Sequence, residues 1–351
     1  MFGSGSRYDL KPNPAVNFFG CKFTHLKIEN AMIDKNSRNL SFPSQLGVFL
    51  GLMGAGLIAG GVISLIIWVA MTGRPVLSLA TDMTNPRYFN AIMAIQVCST
   101  ITTFFLPVYF FARICYRNPL QFLGFNARFN YKQVAMVIGL LILTFPLSAA
   151  LAEINNLVPI PKDWATKFKK WEKAREVQEA ALINLNSFFR YFISMIGIAL
   201  FPALLEEVCF RGGLQNILTR WFKGPWIAII LTAIIFSAVH GSYYGFLVRF
   251  VLGMILGLVF YYSGSLWLSI IIHFLYNGLQ VTAMYVLTVS GKKDSAGIED
   301  HFPIWAGVIA LILILFIFVQ FRKASLEQQQ KYVYEPPEDP DDFSNWTTKE
   351  F

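Results

Sequence analysis

The sequence predicts an all-α fold, a polytopic membrane helix bundle of about eight transmembrane helices. Two facts of composition and one of pattern predict it. The 351 residues are 55% hydrophobic and only 14% charged, against about 25% charged in an ordinary soluble domain. Mean hydropathy is +0.50. The apolar residues are gathered into long blocks, several close to the roughly 20 residues that a spanning helix needs.

Residues 1–44 form a polar N-terminal segment with Pro12, Pro14 and scattered Lys and Arg, and no cleavable signal peptide is visible. Residues 45–160 hold the first spans, expected at 46–71, 89–112 and 134–152. Residues 188–321 form a second membrane core, with helices expected at 188–222, 225–240, 246–262, 265–288 and 304–321. Residues 322–351 make a polar tail that ends in an acidic, Pro-rich stretch from Glu335, a composition expected to be disordered. No internal repeat is visible, which argues against a transporter built from matched halves.

The segment 161–187 differs from its neighbours. Trp164, Phe168, Trp171, Val177, Leu185 and Phe188 recur at mostly helical spacing among Lys167, Lys169, Lys170, Lys173, Arg175, Glu172 and Glu176. This pattern predicts an amphipathic helix in the membrane interface, either a connector or a lid over a site.

The net charge of +8 is assigned to contact with membrane lipids. No nucleic-acid motif accompanies it. Cys21, Cys98, Cys115 and Cys209 form no CxxC pair, so neither a disulfide framework nor a zinc knuckle is expected. Loop Lys and Arg residues favour both termini in the cytoplasm. The basic residues of 161–187 run against that orientation.

Ionisable residues inside apolar blocks mark a site, because a charge at the bilayer centre costs at least a few kcal/mol unless it meets a partner or water. The stretch LLEEVCFRGG places Glu206, Glu207 and Arg211 in such a block. Arg211 lies four residues after Glu207, so the two share a helix face and can pair. Glu206, turned about 100° away, is left for other work. His240 ends the run FSAVH, and His273 lies four residues before Asn277 in HFLYNG. One glutamate and two histidines can activate a water, either by holding zinc or with the glutamate as general base. Asn277 offers an amide donor to an oxyanion or a support for the imidazole of His273. His25 and His301, outside the apolar blocks, are expected to be solvated. No GxSxG turn or HExxH helix stands out.

Together these residues resemble the CAAX prenyl protease and bacteriocin-processing (CPBP, or Abi) family. Glu206–Arg211 is similar to its EExxxR motif, Phe236–His240 to FxxxH, and His273–Asn277 to HxxxN, in the family's order and on three separate predicted helices. The resemblance covers about 188–290. It implies an intramembrane endopeptidase acting on membrane-associated proteins or peptides. Glu206 would be the catalytic glutamate, working on a water with His240, and Glu207 and Arg211 would support it. His273 and Asn277 would be ligands or oxyanion stabilisers. It also implies a metal site, with zinc on Glu206, His240 and His273, although a metal-free water is open as well. Some members act as immunity or scaffold proteins, but every motif residue is intact here. A bacterial plasma membrane is the expected location.

Overall fold

The computed structural model describes residues 37–38, 40–182, 187–291 and 303–334. Within them the protein is helical, with no β-strand beyond an isolated bridge between Ser37 and Tyr116. Among the described residues seven helices are long and apolar enough to cross a membrane, and an eighth, apolar one is shorter.

Helix α1 is Phe42–Thr72. Ser41 caps its first turn by accepting from the Ser44 N–H, and Gly73, at φ 66°, ends it in the left-handed region that glycine enters freely. Helix α2 is Pro86–Cys115 and α3 is Tyr131–Leu157. The latter starts earlier than hydropathy suggests because Asn130 and Gln133 form a reciprocal capping box. Helix α4, Lys162–Leu182, is the amphipathic segment. Helix α5 is Phe188–Phe222, α6 Pro225–Ala238, α7 Phe246–Ser263, α8 Leu266–Val289 and α9 Ile304–Tyr334. The last runs past the expected end at 321 because the sequence after it, KASLEQQQKY, is made of good helix formers. The acidic tail from Glu335, the segment before Ser37, Leu185, Cys21, His25 and His301 lie outside the described residues.

Two apolar clusters hold the bundle. One joins α1, α2, α5 and α6 through Phe49, Phe111, Val208, Phe210 and Phe236. The other joins α3, α7, α8 and α9 through Leu140, Leu256, Ile272 and Phe321. The outer faces of α1 and α9 stay apolar and exposed, as at Ile58, Ile66, Ile312 and Phe316, which is the surface that lipid would cover. This is an integral membrane protein.

The seam between the clusters is formed by α5 and α7. Gly253 and Gly257, one turn apart on α7, leave its backbone bare. A Cβ at 253 would stand 3.1 Å from the Ala233 Cβ, and one at 257 would stand 2.8 Å from Gln215 Oε1. Because the strip is bare, two α5 side chains reach its carbonyls in step. Arg211 Nη2 donates to Gly253 O at 3.3 Å, and Gln215 Nε2 to Gly257 O at 2.9 Å.

Helix α5 is not uniform. Its turns widen over 195–200 and again over 208–215, on either side of the regular turns carrying the two glutamates. Such widened turns are frequent at functional sites. Helix α6 is short: its 14 residues rise only ~21 Å, against a hydrocarbon core of about 30 Å. The expected helix to residue 240 stops at Ala238, and His240 sits in the turn beyond it.

Candidate active site

Four helices supply the site. On α5, Arg211 Nη1 lies 2.8 Å from Glu207 Oε1, and both side chains are fully buried. The four-residue spacing predicted this pair. The same Glu207 oxygen also meets His273 Nδ1 of α8 at 2.9 Å. The support for His273 therefore comes from Glu207, and not from Asn277, the partner that sequence spacing offered. Asn277 is half-buried one turn further along α8.

The other nitrogen of His273 points to the first glutamate. Nε2 lies 3.9 Å from Glu206 Oε2, beyond hydrogen-bond reach but close enough to share one small molecule. Glu206 remains apart from the Arg211 pair, and its side chain keeps 14% of its surface accessible. The two adjacent carboxylates thus divide. One is locked inside protein by an arginine and a histidine, and the other keeps part of its surface accessible.

Phe236 is the wall these groups share. The Arg211 guanidinium lies 4.7 Å from its ring centroid. The rings of His240 and His273 meet it edge-on at 4.9 and 5.8 Å. This explains physically why a phenylalanine one turn before the histidine belongs to the motif. Phe236 is almost fully buried, and its ring fixes where both imidazoles stand.

His240 is held by its own helix end. Its Nδ1 is 2.7 Å from Phe236 O, a carbonyl that has run out of helical partners. A carbonyl only accepts, so Nδ1 carries the proton and the neutral ring keeps its lone pair on Nε2.

The chain beyond His240 is irregular and still within the bundle, so its backbone needs partners. Asn155 of α3 supplies two: Nδ2 donates to Tyr243 O at 3.1 Å, and Oδ1 accepts from Leu247 N at 3.3 Å. Ser237 Oγ donates to Phe246 O at 2.6 Å. Beside this loop a cavity of about 400 Å³ opens between Asn156, Ile160, Lys169, Tyr243 and Tyr244.

Arg249 of α7 is a site residue that the motifs omit. Its guanidinium stands within electrostatic range of both Glu206 and His240. A Cβ at Gly245 would collide with its guanidinium, so the glycine makes room for it. The signal was present in the sequence as one cation in the apolar run FLVRFVLGM.

The expected zinc site needs three protein donors around one ion. His273 Nε2 and Glu206 Oε2 face each other. With His240 they do not close into a trio, and among the described residues no three His, Cys, Asp or Glu side chains form a group that could hold a metal ion. The arrangement does not fit a three-ligand zinc site.

Residues 188–279 match the family model described as type II CAAX prenyl endopeptidase Rce1-like. The helices that carry the site are thus similar to an Rce1-like domain. The matched span begins at the first residue of α5 and ends two residues after Asn277, so it contains Glu206, Glu207, Arg211, His240 and His273 as well. The first three spans, α4 and α9 lie outside it. Searches of curated proteins and of solved structures find no match.

Proposed function

We propose that this protein is a CAAX-type intramembrane endopeptidase that hydrolyses peptide bonds of membrane-associated proteins or peptides with a water activated by Glu206 and His240. The observation that carries the reading is the split between the two glutamates. Glu207 is sequestered by Arg211 and His273, which leaves Glu206 as the accessible carboxylate opposite an imidazole.

Each residue has a role in this reading. The Glu206 carboxylate takes a proton from water, and His240 Nε2 accepts the water's other hydrogen bond and aims its oxygen. That oxygen bonds to the scissile carbonyl carbon, and the C=O electrons move to an oxyanion. Asn277 donates an amide N–H to the oxyanion, and His273, held at Nδ1 by Glu207, turns Nε2 toward the same space. When the carbonyl re-forms, the C–N bond breaks and Glu206 returns its proton to the leaving amine. Arg211 holds Glu207, and Glu207 holds His273.

Purified protein in liposomes should cleave peptides ending in a CAAX-type sequence, and comparing prenylated with unprenylated versions defines the substrate. Absence of cleavage of both, under conditions where the protein is folded, refutes the reading. Because the donor set lacks a third ligand, activity should survive a strong chelator, with well under one metal ion per chain by elemental analysis. Loss on chelation that zinc restores would assign zinc instead. The orientation, with both termini cytoplasmic in a bacterial plasma membrane, is part of the proposal and rests on the loop Lys and Arg residues.

A further inference from the structure

Helix α4 lies outside the matched domain, yet it is fastened to the loop that carries His240. One stripe of the helix makes the contact. Phe168, Glu172 and Arg175 follow the i, i+4, i+7 spacing of a single face. Phe168 stacks flat on Tyr243, with ring centroids 4.8 Å apart and planes parallel. Glu172 Oε2 accepts from Ser242 Oγ at 2.9 Å, and Arg175 pairs with the other oxygen of Glu172. Ser242 is buried, and its Oγ accepts from Gly245 N at 3.0 Å.

The result is an ordered relay from Arg175 to Glu172 to Ser242, which stands two residues from His240, and on to the backbone of the loop at Gly245. Trp164 and Trp171 do not share in the docking. They flank Phe168 and stay about half exposed. The contact is therefore polar and aromatic, and it is specific in a way that a plain connector does not need.

We propose that Glu172 is a positioning residue for the hydrolysis, fixing His240 through Ser242, so that α4 is a working part of the active site. This rests on the assignment of His240 above. The reason is geometric. Helix α6 ends before His240, so the imidazole is held by one bond to its own helix and by whatever fixes the turn after it. Asn155 fixes the far end of that turn, at Tyr243 and Leu247. Glu172 fixes the near end, at Ser242. A misplacement of about 1 Å in a reacting group can cost roughly 100-fold.

The test is kinetic, with a second readout that needs no turnover. Glu172→Ala should lower kcat about tenfold or more with KM little changed, and Ser242→Ala should do the same. The double variant should be no worse than either single one, because both cut the same relay. Glu172→Gln, which keeps an oxygen to accept from Ser242, should recover most of the rate, and Lys170→Ala, on an exposed part of α4, should leave it unchanged. Independently, modification of His240 by diethylpyrocarbonate, followed by mass spectrometry, should quicken in Glu172→Ala and return toward the original rate in Glu172→Gln. An unchanged kcat in Glu172→Ala overturns the proposal while leaving the protease reading intact. If the parent protein cleaves nothing, the modification rate decides alone, and an unchanged rate overturns it.

Discussion

Glu206→Gln should abolish peptide cleavage, lowering turnover by at least 100-fold while the protein still inserts, purifies and unfolds at the original temperature. The amide keeps the shape of the carboxylate but cannot take a proton from water, and a positioned general base usually contributes about 10²–10⁴. Stability should hold because Glu206 takes no part in the buried Arg211 pair. The measurement is cleavage in liposomes beside a thermal unfolding curve of the same preparation. Near-normal turnover in the variant would remove Glu206 from its assigned role.

Arg211→Ala should have the largest effect on stability, about 3–5 kcal/mol. The guanidinium faces Glu207 at 2.8 Å, the Phe236 ring at 4.7 Å and Gly253 O at 3.3 Å, and the side chain is fully buried. Removing it strands the Glu207 carboxylate in a low-dielectric interior. Adding Glu207→Gln should recover part of the loss, because the neutral amide costs less to bury and its oxygen still accepts from His273 Nδ1. Arg211→Lys should rescue less well than residue charge suggests, since an ammonium lacks the planar face that stacks on Phe236. Equal or poorer stability of the double variant than of Arg211→Ala would argue that the pair is not the source of the effect.

The spans were legible because long apolar blocks leave a chain few options in lipid, and the Glu207–Arg211 pair because four-residue spacing fixes a shared face. The remainder depended on contacts that no local pattern encodes. Glu207 and His273 are 66 residues apart, so the second bond of Glu207 is set by how α5 packs on α8. The docking face of α4 was hidden for a different reason. Its large apolar residues suggested a lipid-facing stripe, but the stripe that makes contact carries a glutamate and an arginine, whose partners stand on a loop some 70 residues away. Arg249 was visible as an isolated charge in an apolar helix, yet its spacing pairs it with no motif residue. The two widened stretches of α5 have no sequence signal that we can identify.

The shortness of α6 bears on how the protein is made. A mostly apolar helix of fourteen residues is too short to partition into a bilayer as an independent span, for which about 20 are needed. Helix α6 must therefore enter lipid together with α7, as a helical hairpin, once the ribosome has synthesised both. During biogenesis the turn after α6, which bears His240, reaches its final depth only after the glycine strip of α7 has docked on α5. Moving a glycosylation acceptor site through the loop between them, in chains truncated before and after α7, would follow that step directly, and an α6 that inserts alone would contradict it.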